Sequence, residues 1–414
     1  QRGNTITWHA RQIKTDSYVY SLIDTPGCKK FTKNMICGTS QADVAVLVVP
    51  ANTGDFEASI AKGNQKTGEV EGETLQHARI CHTLGIVELI VCINKMDHET
   101  VKYSRKRYRE IKDKVAYILT KTGYKTKKIP FIPMSARSEA NIMVPAVREM
   151  PWWQGFKVKA RCDRIRGRTL YDALENKFFL YYIVGNRRTK KPFRMPISGV
   201  HRIKGIGHVV TGRIEQGKIE CGAKVKFALS QCSGIARAIE MHHQKMDAAQ
   251  CGDHVGINIA NLVDDNLPGV GDVLYIEDKD MDPSPPRAVS QFTALVYVHD
   301  VPGKLGHAKL LKNMKTGAME YRGGYTPCIH VRTGRAPCQM IEIKWKFGKS
   351  TSCVKVENVP YIEAGDQAEV VFMPQAPLIV EPFDDCKPLG RIAVMQSNHL
   401  QMVGKVTFVR HVEQ

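Results

Sequence analysis

Hydrophobic positions along the chain change their periodicity near residue 150, and the change separates two kinds of predicted structure. Before that point, continuous apolar runs occupy Tyr18–Ile23, Val44–Val49 and Leu89–Ile93. Runs without polar alternation are typical of strands buried on both faces of a parallel sheet. Helical patterns lie between and after them, so we predict alternating strands and helices in a doubly wound α/β sheet.

The clearest predicted helix covers Ser104–Thr122, and Gly123 follows as its stop signal. Phe131–Ala136 then reads as a further strand that runs into a loop. The helix prediction rests on apolar residues at helical spacing, namely Tyr108, Ile111, Val115, Ile118 and Leu119.

The rest of the chain is predicted to be all-β. The alternation of strands and helices ends near Pro151–Trp153, which predicts a domain boundary there. A second boundary is predicted at the proline-rich segment Asp280–Pro286, which cannot form a helix or a central strand. Glycine-rich turns, as in Gly205–Gly212, separate short strands and suit a barrel. Later β-type runs are Phe292–Val298, Ile341–Phe347 and Ala368–Phe372. We therefore predict an α/β domain at 1–155 followed by two β-barrels at 156–282 and 283–414.

Composition restricts the class of protein. With 43% hydrophobic and 24% charged residues in 414, the chain has the makeup of a soluble globular protein. No apolar run approaches the roughly 18 residues of a membrane span. The polar start at Gln1 predicts no signal peptide, and we expect residues upstream of it. The 12 cysteines form no C-x-x-C pair, which favours reduced thiols in a cytoplasmic protein over zinc or disulfide frameworks.

The net charge of +19 favours polyanionic partners such as RNA or acidic filaments. An indifferent basic surface is the alternative, but the positive charge is clustered. The dense stretches are Lys102–Lys114, Lys157–Arg168 and Arg187–Arg194.

Three short motifs follow predicted strands, and together they predict a guanine-nucleotide site. In Asp24-Thr25-Pro26-Gly27, the carboxylate can hold Mg²⁺ through water and the glycine amide can reach a γ-phosphate. In Asn94-Lys95-Met96-Asp97, the second carboxylate can accept hydrogen bonds from guanine N1–H and N2–H₂, which adenine does not offer. Ser135-Ala136 follows the next strand and can support the base.

With these motifs in place, the chain resembles the translational GTPases, and in particular the elongation factor 1-alpha family. Lys102–Ser104 and Glu240–His243 favour this family over the related release-factor and ribosome-rescue GTPases. The other matching stretches are Arg2–Ile6, Lys33–Ile36, Gly38–Asp43, Asn94–Asp97, Met150–Trp152 and Pro388–Arg391.

The resemblance implies GTP-dependent delivery of aminoacyl-tRNA to the ribosome, with a nucleotide exchange factor as a further partner. Thr5 and Asp24 would contact Mg²⁺, and Gly27 would contact the γ-phosphate. Glu240 and His242 would border the aminoacyl end of tRNA. Guanine would be read by Asn94, Lys95 and Asp97, with support from Ser135 and Ala136.

Two departures from the family pattern concern nucleotide chemistry. The phosphate loop G-x-x-x-x-G-K-[ST] occurs nowhere, and Gly348-Lys349-Ser350 is predicted to be a basic hairpin turn. We therefore expect GTP, GDP and Mg²⁺ to bind well only if a phosphate loop lies upstream. Cys28 stands where the family has a catalytic histidine. Because a thiol is short and not cationic, we expect these 414 residues to show no measurable GTP hydrolysis.

Two further departures concern the rest of the chain. His254 replaces an asparagine of the family beside the aminoacyl pocket, and a surface role is as compatible with the sequence as a functional one. Insertions near Lys66–Glu73 and Lys304–Arg322 are predicted to be solvated loops or partner contacts. The sequence is therefore compatible with three functions: a tRNA-carrying GTPase, a hydrolysis-deficient scaffold on actin, microtubules or ribonucleoprotein, and a general RNA binder.

Overall fold

The computed structural model describes most of the chain. The described residues are 5–61, 72–159, 164–175, 187–242, 244–263, 265–278, 282, 284–299, 301, 303–312, 319–396 and 399–412. The chain divides into two compact units, Gln1–Asn186 and Arg187–Gln414. Most of the predicted loop near Lys66–Glu73 lies outside the described residues. Within the described part, none of the helices has the length and apolar character that a membrane crossing requires.

The first unit mixes strands and helices. Its described strands are β1 (His9–Lys14), β2 (Val19–Asp24), β3 (Val44–Pro50), β4 (Glu88–Asn94), β5 (Phe131–Pro133), β6 (Phe156–Lys159) and β7 (Arg164–Gly167). Its described helices are α1 (Thr32–Thr39), α2 (Asp55–Ser59), α3 (Glu73–Thr83), α4 (Arg105–Thr122) and α5 (Leu170–Glu175). Short 3₁₀ turns lie at Lys29–Phe31 and Thr126–Lys128.

A parallel sheet in the order β3-β4-β5 forms the centre of this unit. On one face, strand residues such as Val49 and Val91 pack with Ile111, Val115 and Leu119 of α4. The opposite face carries a second apolar cluster, whose buried members are Ile90, Cys92, Ile132, Met134, Phe156, Val158, Ile165 and Ala173. The central strand β4 is covered on both faces and therefore tolerates continuous apolar sequence. The prediction that Val44–Val49 is buried on both faces is wrong in part, because Val46 and Val48 of β3 are exposed. The predicted combination of an α/β domain with all-β domains is confirmed.

Helix α4 begins and ends where its sequence signals predicted. Ser104 is the N-cap, and its Oγ accepts a hydrogen bond from the backbone N of Arg107 at 3.4 Å. Gly123 takes the left-handed C-cap conformation with φ of 110°. The apolar stripe through Tyr108 and Leu119 is buried, so the remaining, polar face of α4 is turned to solvent.

The prediction that Tyr18–Ile23 forms a buried strand of the parallel sheet is wrong. The strand exists as β2, but it pairs antiparallel with β1 and is mostly exposed. The physical reason is the short connection closed by the bond from Thr15 N to Tyr18 O at 2.9 Å. A connection of this length can only join antiparallel neighbours, whereas parallel strands need a long crossover.

The second unit is all-β. Its described strands in the first barrel are β8 (Met195–Ile203), β9 (Gly207–Arg213), β10 (Lys218–Glu220), β11 (Lys224–Phe227), β12 (Ser233–Met241), β13 (Gln244–Met246), β14 (Ala248–Gln250), β15 (His254–Ala260) and β16 (Val273–Ile276). Those of the second are β17 (Val289–Val298), β18 (Leu305–Gly306), β19 (Lys309–Lys312), β20 (Met319–Arg322), β21 (Cys328–Val331), β22 (Gly334–Phe347), β23 (Val356–Glu357), β24 (Tyr361–Ile362), β25 (Gln367–Pro374), β26 (Arg391–Gln396) and β27 (His399–His411).

Both main sheets close into barrels. The first runs β11-β16-β8-β9-β15-β12 and closes through β11–β12, with β13 on its edge. The second runs β21-β26-β27-β17-β25-β22 and closes through β21–β22, with β23 on its edge. Closure removes exposed strand edges, and each barrel interior is filled by apolar side chains. The two predicted β-barrels are confirmed, whereas the limits at 155 and 282 stay predictions.

Two loop predictions in the last barrel have different outcomes. Gly348 and Lys349 lie in the connection between β22 and β23, where Ser350 Oγ donates to Asp366 Oδ1 at 2.9 Å. This segment is a turn, as predicted. The expectation of a loop at Lys304–Arg322 is wrong in part, because β19 and β20 pair as an exposed antiparallel hairpin. The sequence Lys-Leu-Leu-Lys of β19 does not alternate between polar and apolar residues, so its pattern does not indicate a strand.

Candidate functional site

The carboxyl ends of β4 and β5 bring two of the predicted motifs together. Asn94 Oδ1 accepts a hydrogen bond from the backbone N of Ala136 at 2.9 Å. Ser135 Oγ donates to Asp97 Oδ1 at 2.6 Å. Since adjacent parallel strands end at the same edge of a sheet, residues 38 or more positions apart in sequence meet in one loop pair.

The backbone holds this loop pair in a fixed shape. Met134 N donates to Ile93 O at 2.8 Å, and Met96 N donates to Met134 O at 3.2 Å. Lys95 takes a left-handed φ of 63°, which turns the chain sharply after the strand, while Met96 is fully buried and anchors the loop. The conformation is therefore determined before any ligand binds.

The polar groups of the loop pair suit a base with adjacent N–H donors. Asp97 is half-buried, and the bond from Ser135 leaves its Oδ2 without a donor among the residues that the structure describes. Lys95 forms a salt bridge with Asp55 at 2.9 Å. The hydrogen bond that Lys95 Nζ donates within this pair is the main reason why the pKa of Asp55 is lowered.

Three residues to which the sequence motifs assign no role at this site support it, namely Asn141, Tyr103 and Ser138. Asn141 is fully buried, donates from Nδ2 to Pro133 O at 2.8 Å and accepts from Ala146 N at 2.8 Å. Tyr103 Oη lies 3.1 Å from Ser138 Oγ, and Ser138 N donates to Ser135 Oγ at 3.2 Å. Asn141 has φ of 59°, a conformation in which asparagine is enriched, but one sequence does not reveal φ.

The predicted magnesium residues lie at the start of the first unit. Thr5 Oγ1 donates to Asp24 Oδ2 at 3.4 Å, so the two side chains that the resemblance assigns to Mg²⁺ are neighbours. Asn34 Nδ2 donates to Ile6 O at 2.8 Å and fixes the segment beside α1. The described residues contain no cluster of three His, Cys, Asp or Glu arranged for a metal, and an Mg²⁺ held through water and phosphates needs none.

The loop after β2 is open on the side of Gly27. Gly27 is exposed, and a Cβ built on it would meet no atom within 4 Å, so there is open space beside this glycine. Cys28 follows half-buried, and its carbonyl accepts from Phe31 N at 2.9 Å in the turn that leads into α1. The loops that follow β4 and β5 are thus joined by hydrogen bonds, whereas the phosphate-loop pattern G-x-x-x-x-G-K-[ST] does not occur in these 414 residues.

The predicted tRNA residues meet on the first barrel. Glu240 on β12 pairs with Gly256 on β15, which places His242 and His254 at the same end of these strands. His242 adopts φ of 50° at the turn after β12. The pKa of His254 falls to about 4, chiefly because of burial and further because of Arg213 and His242. His254 is therefore a neutral imidazole near pH 7 rather than a solvated surface histidine.

Family models match along most of the chain. A model described as "Elongation factor Tu GTP binding domain" matches residues 1–179. "Elongation factor Tu domain 2" matches 207–275, and "GTP-eEF1A C-terminal domain-like" matches 315–407. These matches follow the same order as the α/β unit and the two barrels.

Curated relatives cover nearly the whole chain. Elongation factor 1-alpha of Xenopus laevis is 35% identical over 411 residues, which span 99% of this chain and 81% of the relative. The Hypocrea jecorina protein of the same name is 34% identical over 409 residues, with coverage of 99% and 81%. The solved elongation factor SelB of Methanococcus maripaludis with a GTP analogue has a TM-score of 0.65 at 19% identity, covering 99% and 75%. That structural likeness supports the fold.

Proposed function

Because the chain belongs to the translational GTPase family and is related to elongation factor 1-alpha along its length, we propose that it carries aminoacyl-tRNA to the ribosome in a GTP-dependent way. The observation that carries this proposal is the preformed loop pair at Asn94–Asp97 and Ser135-Ala136. Its hydrogen bonds hold a carboxylate and an amide where a guanine base can be read.

Each residue of the loop pair has a distinct task. Asp97 accepts the N1–H and N2–H₂ donors of guanine, and adenine leaves this half-buried carboxylate without partners. Asn94 holds Ala136 in place, and Ser135 orients Asp97. Lys95 contributes its aliphatic stem to the face of the base, while its ammonium stays on Asp55.

The phosphate side has fewer groups in this chain. Thr5 and Asp24 are the residues that would hold Mg²⁺, and Gly27 would donate its amide to the γ-phosphate. When bound, the ion neutralises phosphate charge. We propose that Cys28, which lacks a cationic imidazole, leaves hydrolysis disabled, and we expect no measurable GTP turnover from these 414 residues.

The barrel residues would recognise the charged end of tRNA. Glu240 and His242 would contact the aminoacyl group, and their position at one end of β12 and β15 beside His254 supports this role. The neutral His254 can donate or accept one hydrogen bond without adding charge. We propose the ribosome and an exchange factor as further partners and the cytoplasm as the location. The scaffold alternative is not favoured, because the relatives that match along nearly the whole chain are elongation factors.

Base recognition is tested with mononucleotides, since the base site does not depend on a phosphate loop. Saturation-transfer NMR of the chain with GMP, AMP and XMP should give base-proton signals for GMP that exceed those for AMP. Asp97→Asn should transfer the preference to XMP, because an amide can donate to the xanthine carbonyl. Asp384→Asn, at an exposed site in the second unit, is the matched control. Equal signals for GMP and AMP with the unsubstituted chain would contradict guanine recognition.

Delivery of aminoacyl-tRNA is tested by protection of the aminoacyl ester. Spontaneous deacylation should slow when the protein is added with GTP at a saturating concentration, which is needed because a chain without a phosphate loop binds GTP weakly. Glu240→Gln should reduce this protection. Uncharged tRNA should compete poorly. Equal competition by uncharged and charged tRNA would indicate general RNA binding instead of a carrier.

A further inference from the structure

The solvent face of α4 and the turn after it form a strongly positive surface outside the proposed nucleotide site. Residues 102–128 contain eleven lysines and arginines but only two carboxylates, Glu110 and Asp113. One of these is already neutralised, because Glu110 pairs with Lys114 at 2.7 Å and with Arg107 at 3.0 Å. The local charge is therefore strongly positive even after internal pairing.

A row of cations runs along one flank of this helix. Arg105, Arg109 and Lys112 stand at positions i, i+4 and i+7, which share a face, and their Cα atoms are separated by about 6 and about 4.5 Å along the axis. All three are exposed. Within the described part of the chain, none of them has a carboxylate at ion-pair distance. Lys106 extends the row across the first turn.

These charges oppose the stability of the helix that carries them. The first turn of α4 holds Arg105, Lys106 and Arg107 and no acidic residue. Cations at a helix N-terminus face the positive end of the helix dipole, where acidic residues are favoured. Like charges at i,i+4, as in Arg105 and Arg109, also repel. Helix formation therefore does not account for this arrangement, whereas binding to a polyanion does.

The surface lacks the features of a protein-binding face. Among the described residues from 102 to 128, Tyr117 is the one large hydrophobic side chain that is exposed. Ile111, Val115 and Leu119 are buried in the core and cannot contact a partner or enter a lipid surface. Stable protein interfaces need an apolar centre, whereas contacts to nucleic acid are dominated by lysine and arginine on phosphates.

We propose that the solvent face of α4, built on Arg105, Arg109 and Lys112, binds the phosphate backbone of double-helical RNA without reading its sequence. This surface is additional to the proposed aminoacyl-tRNA site, and it requires neither nucleotide nor an aminoacyl group. Its contribution is electrostatic, so it increases the local concentration of the protein on structured RNA.

The test is the salt dependence of binding to an unacylated RNA duplex of about 20 base pairs, measured by fluorescence anisotropy with the whole chain. The variant Arg105→Gln/Arg109→Gln/Lys112→Gln should make the negative slope of the log binding constant against log salt concentration shallower by about 2.7. It should also reduce the affinity on the order of 100-fold near 0.1 M salt. The matched control Arg287→Gln/Arg335→Gln/Lys309→Gln removes the same charges at exposed sites of the second unit and should change the slope less.

A second variant separates binding from folding. Arg105→Glu/Lys106→Glu should keep or raise the thermal midpoint, because acidic residues suit a helix N-terminus, and should weaken RNA binding. Protection of the aminoacyl ester should be unchanged in both α4 variants, which distinguishes this surface from the proposed carrier site.

Several outcomes would overturn the proposal. One is an equal loss of affinity in the control variant, and another is a duplex affinity that depends strongly on sequence. A third is tighter binding to polyglutamate or to phosphatidylserine vesicles than to RNA, which would assign the face to an acidic protein or a membrane. A fall in the thermal midpoint of Arg105→Glu/Lys106→Glu would mean that these cations serve the fold.

Discussion

Arg194 is a buried cation that lies between two carboxylates of the second unit, so its replacement should strongly reduce stability. Its side chain is 4% exposed. It binds Asp282 in a bidentate way, at 2.6 and 3.1 Å, and its Nε donates to Glu381 Oε1 at 2.7 Å. The bond to Glu381 joins residues 187 positions apart, one before β8 and one before β26. The substitution Arg194→Met keeps most of the volume and removes every one of these bonds.

The expected loss follows from what remains after the substitution. Removing one partner of a buried ion pair costs about 3–5 kcal/mol, because the other charge stays buried without compensation. Here two carboxylates remain, and their side chains are only 6% and 10% exposed. We therefore expect Arg194→Met to lower the free energy of unfolding of the second unit by at least about 3 kcal/mol at neutral pH.

The same carboxylates give the variant a characteristic pH dependence. Burial raises the pKa of Glu381, although Arg194 opposes the shift. A carboxyl with a raised pKa binds more protons in the folded state, so its unfavourable effect is absent below its unfolded pKa and grows as pH rises through the folded pKa. Without Arg194 that pKa rises further. The loss of unfolding free energy caused by Arg194→Met should therefore become smaller as pH falls from about 7 toward about 5.

Urea unfolding followed by far-UV circular dichroism at both pH values measures this effect. Arg194→Met/Asp282→Leu/Glu381→Leu should recover most of the loss, because an apolar cluster replaces the ion network. Lys218→Met, which breaks an exposed pair with Glu220, is the control and should have little effect. A loss below about 1 kcal/mol for Arg194→Met, or a deficit that grows at low pH, would refute the reasoning.

Three further predictions concern single residues. Gly123→Ala should lower the thermal stability of the first unit by about 1–2 kcal/mol, since a Cβ there would lie 2.8 Å from His82 Nε2 at a φ of 110°; an unchanged thermal midpoint would contradict this. His254 should titrate near pH 4 by NMR, and because its pKa is depressed on folding, stability should be lost as pH falls from about 6.5 to about 4. His254→Asn should flatten that acid limb, whereas titration near pH 6.5 would show a solvated ring. Ser135→Ala should reduce the preference for GMP over AMP about tenfold, by loss of the 2.6 Å bond that orients Asp97; an unaltered ratio in saturation-transfer NMR would remove Ser135 from the site.

Local sequence signals were sufficient where neighbouring residues decide the structure. Helix α4 follows from Ser104, Gly123 and the apolar stripe between them, because capping and 3.6-residue periodicity are local properties. The loop at Asn94–Asp97 is predicted because it directly follows an apolar strand. The barrels followed from short strands and frequent turns. In each case the relevant physics acts within a few residues.

Tertiary structure decided what depends on distant partners. Apolar sequence suggested that Tyr18–Ile23 lies in the parallel sheet, but the short link to β1 fixed an antiparallel, exposed pairing. The network of Arg194 with Asp282 and Glu381, and the support of Ser135 by Tyr103 through Ser138, join residues from far apart in the sequence. The amino-acid sequence alone predicts the type of fold and the side chains of the loop pair. Only the folded chain decided which charges are buried and paired and which, like those of α4, remain in solvent, because burial and pairing are set by neighbours in space.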